Sequence, residues 1–249
     1  MSAQINVLNP AKPRRVLMVA SNRSKSQTTG WDIGVWAAEL AHPWFEFTEH
    51  GYEVDIVSPD GGKLYFDALS DPRDDSGYSA HDLISMGFLS TPRLMALTEN
   101  TPRLADVDPD RYDALFVCGG QGPMYTFINN EPLHQFFARF YETGKVAAVI
   151  CHGTCILLRT RLSNGQLLIE GKTWTGFADS EEDFADQIVG TKLQPFRIEQ
   201  EARKLPIRTN YINAGPFRAF AVRDGNLITG QQQFSGAETA RLVIAALGQ

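Results

Sequence analysis

Cys151 stands where a buried strand must turn at once into a helix. The five residues before it, VAAVI, form a short apolar run of the kind found in parallel strands, and the residues from Thr154 to Arg159 read as helical. A residue at such a turn is forced toward a strained backbone conformation. Its side chain projects from the carboxyl edge of the sheet, as in a nucleophile elbow with cysteine in place of serine. A helix N-terminus beside the sulfur favours the thiolate, which is the nucleophilic form. Backbone N–H groups of the turn can hold an oxyanion, and Gly153 permits close backbone approach. The competing reading, a small core cysteine, gives way to the position between strand and helix. A second feature belongs to the same edge. The strand at 114–118 ends in Gly119-Gly120-Gln121-Gly122-Pro123, where glycines let backbone N–H groups face a ligand. Gly120, Gln121 and Gly153 are therefore candidates for oxyanion or substrate binding, with a plain tight turn as the alternative for the glycine run. Ligands of open α/β sheets bind at this edge.

The elements that must position these residues alternate along the chain. Strands are expected at 15–20, 53–58, 114–118, 146–150 and 173–175, and a hairpin at 220–229 around Asp224-Gly225-Asn226. Helices are expected at 31–50, with Pro43 as a kink or fresh start, then at 91–97 behind Thr91-Pro92, at 131–142, from Ser180 onward, and at 195–205. Ser235 and Glu238 have the spacing of a capping box for a last helix ending near Leu247. Residues 63–110 have weak periodicity and read as an irregular insertion or a lid. Strands alternating with helices predict an α/β fold with a mainly parallel sheet covered on both faces, in one domain spanning 1–249.

Composition narrows the function classes. The chain is 43% hydrophobic and 21% charged, ordinary globular values. The formal net charge of -6 comes with no basic stripe, which argues against a nucleic-acid partner; the cluster 12–15 reads as a solvated lead-in to the first strand. No apolar run approaches about 20 residues, so no membrane span is expected, and residues 1–13 lack the apolar region of a signal peptide. The three cysteines, Cys118, Cys151 and Cys155, read as reduced thiols, and the expected location is cytoplasmic. Cys155 lies about one helical turn beyond Cys151. It reads as a small core residue, with a resolving thiol as the alternative. A zinc site is not expected, because a fourth ligand is missing.

Taken together, Glu39-Leu-Ala-His-Pro43, Gly119-Gly-Gln-Gly-Pro-Met124, Ala148-Val-Ile-Cys-His-Gly153, Thr175-Gly-Phe177 and Asp224-Gly-Asn-Leu-Ile-Thr-Gly230 resemble the ThiJ/PfpI superfamily. Its fold is the class I glutamine amidotransferase-like, flavodoxin-type three-layer sandwich. The likeness runs from Val16 to Gly230. The Glu-x-x-His-Pro motif and the long insertion at 64–108 are similar to the heat-shock chaperone and glyoxalase III-like branch. The resemblance implies a homodimer and a cofactor-independent enzyme acting on a small reactive carbonyl. It implies Cys151 as nucleophile, and Glu39 beside the sulfur as protonated partner or proton shuttle. Gly120, Gln121 and the His152 amide would be oxyanion donors. His152 would be oriented by a downstream acid, Glu182, with Glu181 as the other candidate. Neighbouring side chains usually diverge, so direct proton removal by His152 is awkward, and Glu39 with a raised pKa is the expected general acid/base. The chain departs from the branch at Gln121, commonly histidine, at Thr154, commonly proline, and at 231–234, usually an Asn-Pro segment.

The leading reading is a glyoxalase III-like conversion of methylglyoxal to lactate, with a related deglycase activity through the same thiol. A holding chaperone would require exposed apolar patches, and a redox sensor would oxidise Cys151. A glutaminase would carry a downstream His-x-Glu pair, but no histidine follows His152; an amidase or peptidase shares that weakness.

Overall fold

Ten short strands alternate with eight helices in a computed structural model that describes residues 14–248. The strands are Arg15–Val19 (β1), Ser24–Lys25 (β2), Asp32–Ile33 (β3), Glu53–Val57 (β4), Ala114–Val117 (β5), Val146–Ile150 (β6), Thr173–Trp174 (β7), Asn210–Tyr211 (β8), Ala221–Asp224 (β9) and Leu227–Gly230 (β10). The helices are Ala37–Glu49 (α1), Leu83–Ser90 (α2), Pro92–Glu99 (α3), Pro123–Thr126 (α4), Glu131–Glu142 (α5), Asp179–Val189 (α6), Ile198–Lys204 (α7) and Gly236–Ala246 (α8). Residues 1–13, read above as free of a signal peptide, lie outside the described residues. Of the basic lead-in, Arg14 and Arg15 are described, and they pair with Asp113 and Asp55.

The main sheet has the order β4-β1-β5-β6-β10-β9 and is parallel except for β9, which forms the expected hairpin with β10. Side chains alternate between its faces with the strand period of two. Leu17, Val19, Leu115, Val117, Ala147 and Val149 pack on the side of α5 and α7. Val16, Met18, Phe116, Ala148, Ile150 and Ile228 pack on the side of α1 and α8. The result is the expected α/β, flavodoxin-like sandwich of three layers.

Several local expectations change. The helix expected from residue 31 begins only at Ala37, because Asp32–Ile33 pairs with Ser24–Lys25 and Val35 bridges to Phe66. Pro43 sits inside α1 without ending it; it only withholds the N–H that the Glu39 carbonyl would otherwise accept. A helix unforeseen in the sequence, α2, starts at Asp82, whose side chain accepts from the Ser85 N–H at 3.1 Å and meets His42 Nε2 at 2.8 Å. The capping box at Ser235 does not form: the Ser235 hydroxyl instead accepts from the Phe220 N–H at 3.1 Å, before β9. After Cys151 the chain runs as a wholly buried 3-10 segment, Cys151–Leu158.

The insertion braces the site rather than merely covering it. Ser70 accepts from the Ala37 N–H at 3.0 Å, capping α1, while donating to the Asp67 carbonyl at 2.6 Å. Asp67 accepts from the Gly34 and Gln121 N–H groups, both at 2.8 Å. Ser70→Ala would leave the buried Ala37 amide without its acceptor. A loss of about 1–3 kcal/mol is expected, read as a lower urea midpoint with an unchanged m-value.

Candidate active site

Cys151 has φ +57°, the left-handed region that non-glycine residues avoid. Such a conformation costs on the order of 1–3 kcal/mol and persists only where surrounding contacts impose it. Here β6 buries every residue leading into the turn, and the Thr154 hydroxyl donates to the Cys151 carbonyl at 2.6 Å. That is what Thr154 does in place of proline. The Gly120 and His152 amides point at the sulfur and favour its anionic form. Gly119 is wedged beside it: an added Cβ would lie 2.7 Å from Cys151 Cβ and would collide with Glu39 Oε2. Gly153 makes the close backbone approach expected of it, against the strand end and not toward a ligand. It stays out of the cavity, and a Cβ there would meet the Cys118 carbonyl oxygen at 2.7 Å, so it lets the turn pass against the end of β5.

Glu39, on the first turns of α1, has no exposed surface. Burial raises its carboxyl from 4.5 to about 8, reinforced by the nearby acids Asp67 and Glu181. The Cys151 thiol and the Gly119 amide lie near enough to favour its ionised form, yet neither carboxyl oxygen completes a hydrogen bond of ordinary geometry. Near neutrality the acid therefore keeps its proton. The thiol is also pushed up, first by burial and then by the adjacent Glu39 charge. The thiolate expected from the turn's dipole is thus opposed by desolvation. Protonating Glu39 removes the charge contribution and leaves burial opposed by the two amides.

His152 corrects the expectation that neighbouring side chains diverge. Its Nδ1 lies 3.5 Å from Cys151 Sγ, because the left-handed turn swings the sulfur back toward the next residue. Its Nε2 lies 3.0 Å from Glu182 Oε1, and its ring stacks on Phe177 at 4.1 Å between centroids. With Nε2–H donated to the carboxylate, the Nδ1 lone pair faces the thiol. Glu182, not Glu181, is therefore the partner of His152. Glu181 accepts from the Ala178 and Phe217 amides and from Gln231 Nε2, all within the frame of the site.

Cys155 faces away from Cys151. It is packed on the other side of the sheet, and its thiol donates to the Pro123 carbonyl at 3.4 Å, which is the core role. Asp67 had no sequence signal, because its partners are backbone amides far away in the chain. Burial raises it to about 6, while its two amide donors pull the other way. Phe177 lay within a recognised motif, but nothing in that motif announced a ring stacked on His152. The cavity above the sulfur measures about 350 Å³, and Gln121 lines it as expected, together with Glu39, His152 and Glu182. Among the described residues, no cluster of His, Cys, Asp and Glu is arranged to hold a metal ion, and no helix is long and apolar enough to cross a membrane.

The folded-state value of Glu39 lies above its unfolded value, so the sign of its pH effect is fixed. Its burial is fully tolerated below pH 4.5, and stability is lost as pH rises toward about 8, while only the unfolded chain ionises. At about 1.4 kcal/mol per pH unit the full loss is on the order of 5 kcal/mol. Glu39→Gln removes this dependence. The melting temperature of the variant relative to the parent should rise steadily between pH 5 and pH 8; a constant difference would refute the assignment.

A model of the DJ-1/PfpI family matches residues 33–246. The glutathione-independent glyoxalase HSP31 of Saccharomyces cerevisiae is 31% identical, over 94% of this chain and 98% of its own length. The crystal structure of glyoxalase III from Candida albicans is 30% identical, with a TM-score of 0.77, covering 94% of this chain and 97% of that one. The Rapid Encystment Protein 24 kDa of Francisella tularensis, 28% identical, superposes with a TM-score of 0.81 over 95% of this chain and 100% of its own. With the family model matched over most of the chain and a relative above 30% identity along nearly its full length, the chain belongs to the DJ-1/PfpI family.

Proposed function

We propose that this protein is a glutathione-independent glyoxalase, converting a 2-oxoaldehyde to the 2-hydroxy acid through Cys151. One observation carries the reading: the Cys151 sulfur lies between a carboxyl that keeps its proton and the Nδ1 of a carboxylate-oriented histidine. The names of the relatives in Saccharomyces and Candida support the same chemistry.

In this reading His152 Nδ1 takes the thiol proton, and the sulfur attacks the aldehyde carbon. The new oxyanion, beside the Gly120 and His152 amides, receives the Glu39 proton, giving a hemithioacetal. Glu39, now a carboxylate, removes the C1 proton while the protonated His152 gives its proton to the C2 oxygen, forming an enediol. Glu39 then delivers its proton to C2 and takes the one on the C1 oxygen, which leaves His152 neutral. The product is a 2-hydroxy thioester. Water, activated by His152, then cleaves the C–S bond and releases the hydroxy acid and the thiol. Protons balance, and no oxidant or reductant is consumed. Redox sensing would call for an accessible, low-pKa thiolate, whereas burial holds this thiol up. The reading also carries the homodimer that the resemblance implied and the cytoplasmic location expected from the reduced thiols; light scattering of the purified chain tests the first.

Purified protein should form lactate from methylglyoxal without added glutathione. Cys151→Ala should abolish turnover, and Glu39→Gln should lower kcat by about 10²–10⁴-fold, the usual contribution of a positioned acid/base. Unchanged lactate formation by Cys151→Ala would sink the proposal.

A further inference from the structure

A three-carbon ketoaldehyde needs little more than the base of the cavity, yet the cavity's volume of about 350 Å³ falls in the range of roughly 300–1,000 Å³ of sites that enclose drug-sized ligands. Its outer wall is apolar and built with care. Helix α6 turns Glu182 inward to His152, while Phe184 and Ile188, one helical turn apart, share a face at the mouth. They stay 45% and 60% exposed, large apolar groups gathered at one concave opening. Phe184 meets the ring of Phe217 edge-on at 5.0 Å.

Phe217 is the other non-glycine residue held at a left-handed φ, +52°. Strain of this kind in a bulky residue needs outside contacts to sustain it, and it is found at ligand clamps. The contacts come from Gln231, Gln232 and Glu181. Gln231 accepts from the Ala214 N–H and donates to the Gly215 carbonyl, both at 2.9 Å. Gln232 donates to the Arg218 carbonyl at 2.9 Å, and Glu181 accepts the Phe217 N–H at 2.9 Å. The opposite wall is aromatic as well, with Trp36 and Tyr78 edge-on at 6.1 Å. Among the described residues that line the cavity there is no Lys or Arg, and the acidic Glu182 pairs with His152.

We propose that the preferred substrate of this site is a neutral 2-oxoaldehyde bearing an aryl or long alkyl substituent, which lies against Phe184, Ile188 and Phe217 while its aldehyde meets Cys151. The proposal rests on the glyoxalase reading and adds the specificity. The absence of a cationic partner disfavours substrates with a carboxylate, and the apolar wall rewards surface that methylglyoxal does not have.

The test compares kcat/KM of the full chain for phenylglyoxal and methylglyoxal. A preference of at least about tenfold for phenylglyoxal is expected, since even one methylene in an apolar pocket is worth about 10–200-fold. Phe184→Ala and Ile188→Ala, both at exposed positions, should each reduce that ratio several-fold. A ratio at or below one, or a ratio unmoved by both variants, overturns the proposal. A binding measurement separates this from the chemistry. Calorimetry of the Cys151→Ala protein should show acetophenone binding about tenfold or more tighter than acetone. That preference without turnover of either aldehyde would refute the glyoxalase reading and uphold the apolar specificity. Turnover with no such preference would do the reverse.

Discussion

A carboxyl with no exposed surface, set against a sulfur, stays in a fold only if it can remain uncharged. Transferring an ionised carboxylate into such surroundings is so unfavourable that the group takes up a proton instead. Glu39 is in that position, and it defines the site around it. With the acid neutral, the thiol beside it is released from one source of repulsion, and the two amides aimed at the sulfur are left to work against burial alone. Glu39 and Cys151 are therefore coupled, because a charge on either one disfavours a charge on the other.

Holding that pair together takes elements that are distant in sequence. Sulfur comes from the end of β6 and the carboxyl from α1, while the glycine run after β5 separates them with a residue that has no side chain to interpose. The long insertion ties the arrangement down through Ser70 at the start of α1 and Asp67 on the glycine run. Asp67 adds its own charge to the field that keeps Glu39 protonated, so one residue serves both geometry and electrostatics. On the far side, α6 presents two consecutive acids, and the chain divides their work. Glu182 orients the imidazole; Glu181 fastens the loop that carries Phe217.

The sheet and the strained turn at Cys151 were legible because they depend on local pattern. An apolar run meeting Cys-His-Gly fixes a strand, a turn and a projecting side chain within a few residues. The resemblance supplied Glu39 and placed an acid at Glu182. What escaped notice depends on tertiary contacts. Asp67 acts through amides 33 and 54 residues away, which no spacing rule records. Residues 31–36 looked helical by apolar spacing, but pairing with Ser24–Lys25 and Phe66 overrides that signal. Ser235 had the right spacing for a cap, and a strand-side amide claimed its hydroxyl. The misjudged direction of the His152 side chain has the same origin. The rule that adjacent side chains diverge assumes ordinary backbone angles, and Cys151 does not have them.

The loop at Gln121 has one more implication. Asp67 grips this residue by its main-chain N–H, a group every amino acid but proline possesses, while its side chain is left to face the cavity. Identity and placement are thereby uncoupled. Lineages can exchange a titrating imidazole for a neutral amide at this point without rebuilding the loop that presents it. Position 121 works like a socket, where evolution can change the tool while leaving the handle alone.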